Sequence, residues 1–190
     1  MHDAALIIAS FFLGAVPFGV LVNRALGGPD LRTIGSGNIG ATNVTRALGR
    51  KAGFITALLD ITKGLIPVLV GKNLGLDTLS LSLVAAAALL GHCYSPYLGF
   101  RGGKGVAVGF GVCLALAPIP AMAALFVWTL SWLMLGVVSV ASMAAAAALI
   151  PACWLLPQTR PYLPITLFVL LVIVWRHRDN IGRLRRGSEF

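Results

Sequence analysis

Long apolar segments alternate with short polar ones along the whole chain, and this alternation limits the possible folds more than any other feature. The apolar segments are residues 4–25, 54–70, 79–90, 106–117, 119–135, 137–156 and 162–175. An α-helix of about 20 apolar residues spans the hydrocarbon core of a bilayer. Charged residues make up only 11% of the chain, whereas soluble domains usually carry about 25%. The pattern therefore predicts an all-α integral membrane protein with seven transmembrane helices.

Two of the predicted helices, residues 79–90 and 106–117, are too short to span a bilayer comfortably. They can be tilted, lengthened by their flanks or shielded by neighbouring helices. The alternative is a re-entrant pair, which leaves five spans. Both counts are odd, so both place the two termini on opposite sides of the membrane. We expect residues 1–190 to form a single membrane-embedded domain, in which the weak break at Gly136 is the least certain boundary.

The basic residues indicate the orientation of the helices. If the chain crosses seven times, 12 of its 15 lysines and arginines fall on one side. They are Arg24, Arg32, Arg46, Arg50, Lys51, Arg101, Lys104, Arg176, Arg178, Arg183, Arg185 and Arg186. Because cytoplasmic loops carry an excess of lysine and arginine, this predicts an outside N-terminus, a cytoplasmic C-terminus and three polar stretches facing the cytoplasm. The net charge of +9 is then mainly a topology signal, and we expect no nucleic-acid partner.

Residues 35–46, here named loop 1, read GSGNIGATNVTR and include three glycines. Glycine lets backbone N–H groups approach a ligand, while Ser, Thr and Asn add neutral donors and arginine adds a charge. This composition favours a phosphate-binding loop, although a plain turn also uses it. The GxGxxG match inside loop 1 does not indicate a dinucleotide site, because no strand precedes it. The overlapping P-loop match lacks the required lysine.

The second polar stretch, residues 92–104, is named loop 2. Within it Arg101 and Lys104 flank a pair of glycines, which is again typical of an anion site. The alternative is that both cations only extend to the membrane interface, but the density of glycine argues against it. His92, at the start of loop 2, is more typical of structural hydrogen bonding than of catalysis.

The third polar stretch is the basic tail, residues 176–190. A basic run after a last helix is usually a topology anchor. His177 and Asn180 make this one unusual, because residues three apart share a face if the helix continues. His177 is the only general base that we nominate, and burial among cations would keep it neutral. We assign no role to residues 187–190.

Several known catalytic patterns are absent from the sequence. There is no HExxH zinc motif and no GxSxG nucleophile elbow. Neither His92 nor His177 is followed five positions later by aspartate, since those positions hold Tyr97 and Gly182. The three cysteines lack CxxC spacing and are typical of small buried hydrophobic residues. We therefore expect neither a metal nor an organic cofactor.

Two charged residues, Asp60 and Lys63, stand inside the second apolar segment. Each would cost about 2.5–3.5 kcal/mol alone at a helix centre, but residues three apart on a helix can pair. A structural pair is the simpler interpretation, and a wall of the polar site is the functional one. Ser139 and Ser142 lie within reach of the same site, although isolated serines in membrane helices mostly serve packing.

Four motifs together resemble the PlsY family of bacterial acyl-phosphate:glycerol-3-phosphate acyltransferases. They are GSGNIGATNVTRALGRKAG at 35–53, DITKG at 60–64, GHCYSPYLGFRGGKGVA at 91–107 and WRHRDNIGRL at 175–184. The resemblance implies a seven-helix enzyme of the bacterial inner membrane with its active site facing the cytoplasm. The implied reaction moves a fatty acyl group from acyl-phosphate to the 1-hydroxyl of sn-glycerol-3-phosphate. It yields lysophosphatidic acid and phosphate, and begins phospholipid synthesis.

The resemblance also implies roles for individual residues, in two phosphate sites. One phosphate is expected on loop 1, which offers Ser36, Gly37, Asn38, Gly40, Thr42 and Asn43. The other is expected on a second set, namely Arg46, Lys104, Ser142 and His177. Arg101 and Gly103 are further expected substrate-binding residues, without assignment to either phosphate. Lys104, His177 and Asn180 are the expected catalytic residues. Which set holds which substrate is left open, with loop 1 favoured for acyl-phosphate.

Acyl-phosphate is already an activated mixed anhydride, so we expect direct transfer without an acyl-enzyme, in which a substrate phosphate can take the proton. The expected partners are the two substrates and membrane lipids, and a monomer is compatible with the sequence. The alternative from another class is a small transporter of phosphate or glycerol-3-phosphate. Such a protein would spread its functional residues through the membrane depth in two matching halves, whereas the polar residues here crowd one side.

Overall fold

The chain folds into ten α-helices and no strand over residues 2–189, the part that the computed structural model describes. The helices are α1 His2–Ala15, α2 Phe18–Ala25, α3 Ala41–Leu48, α4 Arg50–Asn73, α5 Thr78–Cys93, α6 Val106–Leu116, α7 Pro118–Leu135, α8 Val138–Leu155, α9 Leu163–Arg176 and α10 Arg178–Arg185. Two short 3₁₀ turns, Pro96–Leu98 and Pro157–Tyr162, lie beside α5 and α9. The predicted all-α class is confirmed.

Six segments in this range are long and apolar enough to cross a membrane. They are Asp3–Ala25, Arg50–Asn73, Thr78–Leu98, Pro118–Leu135, Val138–Leu155 and Pro157–Arg176. Large apolar side chains cover their outer faces, as at Leu133 and Leu155, which are 71% and 74% exposed. In water such a surface would be a large unfavourable patch, whereas lipid is its natural solvent.

The two helices predicted to be short differ from each other in the structure. The segment predicted as 79–90 is longer than expected, because α5 continues to Cys93 and its first turn is capped by the Asp77 carboxylate, which accepts from Ser80 N at 2.7 Å. The segment predicted as 106–117 stays short, since α6 has 11 residues. Most of α6 is buried, so neighbouring helices shield it from lipid.

The first predicted helix, residues 4–25, is divided at Pro17 into α1 and α2. Proline removes a backbone donor and clashes with the preceding turn, which breaks the helix. At the break, Lys63 Nζ donates to the carbonyl oxygen of Val16 at 2.6 Å and lies 2.8 Å from Asp60 Oδ1. Both charged side chains are buried. This arrangement supports the structural interpretation of the pair.

Glycines allow the central helices to touch backbone to backbone. A Cβ atom on Gly91 of α5 would collide with the carbonyl oxygen of Phe11, and one on Gly14 of α1 with that of Ala88. A Cβ on Gly111 of α6 would likewise meet the carbonyl oxygen of Ile61 in α4. Small residues at such crossings are how membrane helices gain close packing. The resulting core places the ends of α5 and α9 side by side.

Candidate functional site

The three polar stretches meet at one end of the helix bundle. Lys104, at the end of loop 2, donates from Nζ to the side-chain oxygen of Asn180 in α10. Arg176, at the end of α9, donates to the backbone carbonyls of Gly102 and Gly103. Arg46 of α3 is close enough for its charge to lower the pKa of Lys104. The three polar stretches, which the sequence predicted on one side of the membrane, therefore lie together at one end of the bundle.

The tail folds back over this point. Asn180 is buried and donates from Nδ2 to Glu189 Oε1, while Arg183 Nε lies 2.7 Å from Glu189 Oε2. Although burial opposes it, the hydrogen bonds from Asn180 and Arg183 lower the pKa of the Glu189 carboxyl. Glu189 therefore places a carboxylate among the cations of the site.

Lys104 is a cation held in a partly dry environment. Burial lowers the pKa of its ammonium group to about 8, because desolvation penalises the charged form. The Glu189 carboxylate acts in the opposite direction, while Arg183 and Arg46 lower the value further. At neutral pH Lys104 is thus mostly charged and can bind an anion.

His177 occupies the junction between α9 and α10 and is buried. Its Nδ1 lies 2.8 Å from the carbonyl oxygen of Ile173. Because a carbonyl oxygen only accepts, Nδ1 carries the proton and Nε2 keeps a lone pair. Burial, opposed by the Ile173 hydrogen bond and reinforced by the charge of Lys104, lowers the pKa of His177 to about 4. His177 is therefore neutral at pH 7, in line with the expectation from sequence.

Loop 1 is organised by Asn43, a buried residue whose side chain forms its hydrogen bonds with the backbone at residues 31–36. Its Nδ2 donates to the carbonyls of Leu31 and Ile34 at 2.8 and 3.2 Å, and its Oδ1 accepts from Ser36 N at 3.1 Å. Sequence reasoning placed Asn43 on a phosphate. The structure instead gives it the role of holding the loop that carries the other candidates.

The other loop 1 candidates surround the start of α3. Gly40 precedes its first turn, and Asn38 Oδ1 accepts from Gly40 N at 2.9 Å. Gly37 has φ +66°, which allows the turn that precedes α3. Ser36 is half-buried and Thr42 is exposed. The N–H groups at a helix start are suited to an anion.

Three remaining candidates have different surroundings. Gly103 is buried against His92, whose ring a Cβ at this position would strike. Ser142 is buried in α8, where it donates to Val138 O at 2.7 Å and accepts from Trp128 Nε1 at 3.2 Å. Arg101 is exposed. Within residues 2–189, neither Ser142 nor Arg101 forms a hydrogen bond with Lys104 or Asn180.

Sequence reasoning missed two residues of this region, Glu189 and Arg176. The available signal for Glu189 was its charge, since the chain has only six acidic residues and this one ends a basic run. Arg176 was counted only as a topology marker. Neither contact could be located from spacing, because each depends on how α9 and the tail turn against loop 2.

The arrangement suits the binding of anions. Lys104, Arg46 and Arg183 supply positive charge, Asn180 supplies an amide, and neutral His177 supplies a lone pair. Across the described part of the chain, no group of three His, Cys, Asp or Glu side chains lies close enough to hold a metal ion. Phosphate-containing ligands are the class that this combination of donors favours.

Comparison with known proteins agrees with this chemistry. The sequence model of the family described as glycerol-3-phosphate acyltransferase matches residues 4–187. The glycerol-3-phosphate acyltransferase of Geobacter metallireducens is 46% identical, over 98% of this chain and 96% of its own length. That of Geotalea daltonii is 42% identical over the same shares.

Two solved structures have the same fold. A crystal structure of PlsY, an integral membrane glycerol 3-phosphate acyltransferase, in its glycerol 3-phosphate form has a TM-score of 0.95 and 39% identity. The lysophosphatidic acid form has a TM-score of 0.93 and 38% identity. Both comparisons cover 100% of this chain and 95% of the other. The chain therefore belongs to the PlsY family of integral membrane glycerol-3-phosphate acyltransferases.

Proposed function

We propose that this protein transfers a fatty acyl group from acyl-phosphate to the 1-hydroxyl of sn-glycerol-3-phosphate, which gives lysophosphatidic acid and phosphate. The observation that carries the proposal is the contact between Lys104 and buried Asn180, beside neutral His177. It brings a cation, an amide and a lone-pair acceptor together where two phosphate-bearing substrates need them. The names of the relatives and the two PlsY forms support the acceptor and the product.

The phosphates divide between two sets of groups. Loop 1 holds the phosphate of the acyl donor, through Ser36, Asn38, Thr42 and the N–H groups at the start of α3. Lys104 and Arg46 bind the acceptor phosphate, with Arg101, Gly103 and Ser142 completing its surroundings. Asn180 orients the acceptor. The acyl chain of the donor remains in the lipid while its phosphate is bound.

The chemical step is direct. The acceptor hydroxyl attacks the acyl carbonyl, the C–O bond to the phosphate breaks, and inorganic phosphate leaves with the electron pair. Lys104 and backbone N–H groups stabilise the charge that develops. A histidine with a pKa of about 4 is a weaker base than a phosphate monoester, whose second pKa is about 6. The proton therefore passes to a substrate phosphate, and His177 Nε2 holds the hydroxyl in line.

The membrane arrangement follows from charge. We assign seven spans, with α6 as the short seventh, an outside N-terminus and a cytoplasmic C-terminus. The site end of the bundle carries most of the lysines and arginines and faces the cytoplasm by the positive-inside rule. A soluble acceptor then arrives from the cytoplasm of a bacterial cell, and a lipid donor arrives from the membrane.

The test is acceptor-dependent release of phosphate from palmitoyl phosphate by the purified protein in detergent or lipid vesicles. We expect release only with glycerol-3-phosphate present, in equal amounts with lysophosphatidic acid. Acyl-CoA in place of acyl-phosphate is expected to give no product. Phosphate release without the acceptor, or vesicle uptake of glycerol-3-phosphate without acylation, would contradict the proposal and favour the transporter.

A further inference from the structure

The side chain of Arg176 binds the protein backbone and does not extend toward the membrane interface. Its side chain turns back from the end of α9 onto loop 2, where Nε donates to Gly103 O at 3.0 Å and Nη2 donates to Gly102 O at 2.7 Å. Its guanidinium group also lies over the ring of Tyr94, 5.3 Å from the centroid. A guanidinium group presents these two donors on separate nitrogens of one rigid plane, whereas a lysine has a single, freely rotating ammonium nitrogen and cannot reproduce this geometry.

The other side of the same two glycines is held by α5. Gly102 N donates to Cys93 O at 3.2 Å, and Gly103 N donates to His92 O at 3.0 Å. All four backbone polar groups of the pair are therefore hydrogen-bonded, two to α5 and two to Arg176. A backbone segment with every polar group paired has little freedom to shift.

The fit against α5 leaves no space for adjustment. A Cβ atom at Gly102 would collide with the His92 carbonyl oxygen, and one at Gly103 with the His92 ring. The two glycines thus lie directly on the end of α5 while Arg176 covers them from α9. Lys104 is the next residue in the chain, so the direction in which its side chain leaves the backbone is set by this enclosure.

We propose that Arg176 is a positioning residue for Lys104, which it aims at Asn180 and the substrate through the backbone of the two glycines. Arg176 also turns two carbonyl oxygens toward itself, so that their negative ends do not face the bound anion. It need not contact the substrate. This inference deepens the proposed acyl transfer and rests on it.

The first experiment compares Arg176→Lys with Arg178→Lys in the purified full chain. Both changes keep the charge, but Arg178 is exposed and lies against Trp175 and Asp179, away from loop 2. We expect R176K to lower kcat/KM for glycerol-3-phosphate by about 10- to 100-fold, as small misplacements of catalytic groups do. R178K should stay within about 2-fold. Equal activities of wild type, R176K and R178K would overturn the inference.

A second experiment separates positioning from general stability. Lys104→Arg keeps a cation at position 104 but changes its shape, so its activity is expected to be reduced and measurable. If Arg176 acts through Lys104, the loss caused by R176K is much smaller in the K104R background than in wild type. Losses that multiply fully would mean that Arg176 acts elsewhere, and would overturn the inference.

Thermal unfolding in detergent accompanies each kinetic measurement, and activities are compared at a temperature where every variant is folded. If the loss of activity in R176K only equals its unfolded fraction, the inference is also overturned. Wild-type activity is the control for the underlying reaction. If wild type shows no acceptor-dependent acyl transfer, the proposed function is wrong. If wild type is active and R176K is equally active, only the proposed role of Arg176 is wrong.

Discussion

The ammonium group of Lys104 donates a hydrogen bond to the side-chain oxygen of Asn180, a residue 76 positions later in the chain. The two come from different polar segments that share no sequence periodicity. Asn180 is buried and hydrogen-bonded in turn to Glu189. A change at any of these three residues is therefore transmitted to the other two.

The charge on Lys104 predicts a loss of activity at high pH. Its pKa of about 8 means that the ammonium group is mostly charged at pH 7 and mostly neutral at pH 9, so kcat/KM should fall as the pH rises through 8. Lys104→Met should cost about 100-fold at pH 7, as the loss of a charge-stabilising donor does. K104R is the matched control, because arginine stays charged and should remove the fall at high pH. The same fall in K104R would assign it to another group.

His177 should act in binding and orientation rather than as a titrating base. Because its pKa is about 4, kcat/KM should show no inflection from this residue between about pH 5.5 and 7.5. His177→Ala should raise KM for glycerol-3-phosphate by about 10-fold, the cost of one lost hydrogen bond in a dry site. Loss of kcat by His177→Ala with unchanged affinity for glycerol-3-phosphate would instead make His177 a true general base.

Glu189 should hold the tail helix in place. Glu189→Ala removes the carboxylate that joins Asn180 to Arg183, and we expect kcat/KM to fall by about 10-fold through misplacement of Asn180. Asp179→Asn is the control, since the Asp179 side chain is 74% exposed. Hydrogen exchange should become faster in α10 of E189A and remain unchanged in α4. Unchanged activity and exchange would contradict a role for Glu189.

The buried pair Asp60 and Lys63 should contribute to stability only as a pair. Lys63→Met leaves Asp60 buried without its partner and should destabilise the protein by about 3–5 kcal/mol. The double variant D60L/K63M should recover most of this loss, because it removes both charges. Lys72→Met, at an exposed position near the end of α4, should leave the thermal midpoint unchanged. A double variant no more stable than K63M would contradict this interpretation of the pair.

The sequence predicted most of what depends on local composition. The length of the apolar segments located the spans. The polar stretches singled out Lys104, His177 and Asn180 as candidates, while their roles came from the family resemblance, and the structure brings Lys104 and Asn180 into contact. Periodicity did not predict α3, because Ala41–Leu48 is short, polar and rich in β-branched residues, which favour helices weakly. Its start is fixed by the turn at Gly40 and by the contacts of Asn43 instead.

Other features could not be predicted from the sequence, because they depend on contacts between segments that are far apart in the chain. Asn43 looks like a ligand donor until its amide is seen to bond the backbone of its own loop. Arg176 and Glu189 look like an anchor and a terminal charge until α9 and the tail are placed against loop 2. The same types of polar residue can hydrogen-bond to the backbone or to a substrate. Only the partners seen in a structure distinguish the two roles.

The bond from Lys63 to the carbonyl of Val16 has a consequence for how the protein is made. Both partners of this lysine, Val16 and Asp60, precede it in the chain. Since synthesis proceeds from the N-terminus, the lysine can be neutralised as soon as α4 enters the membrane, without waiting for later segments. Lys104, by contrast, must wait for Asn180. Insertion of the charged scaffold can thus be complete early, while the site is assembled only after the last helix has been released.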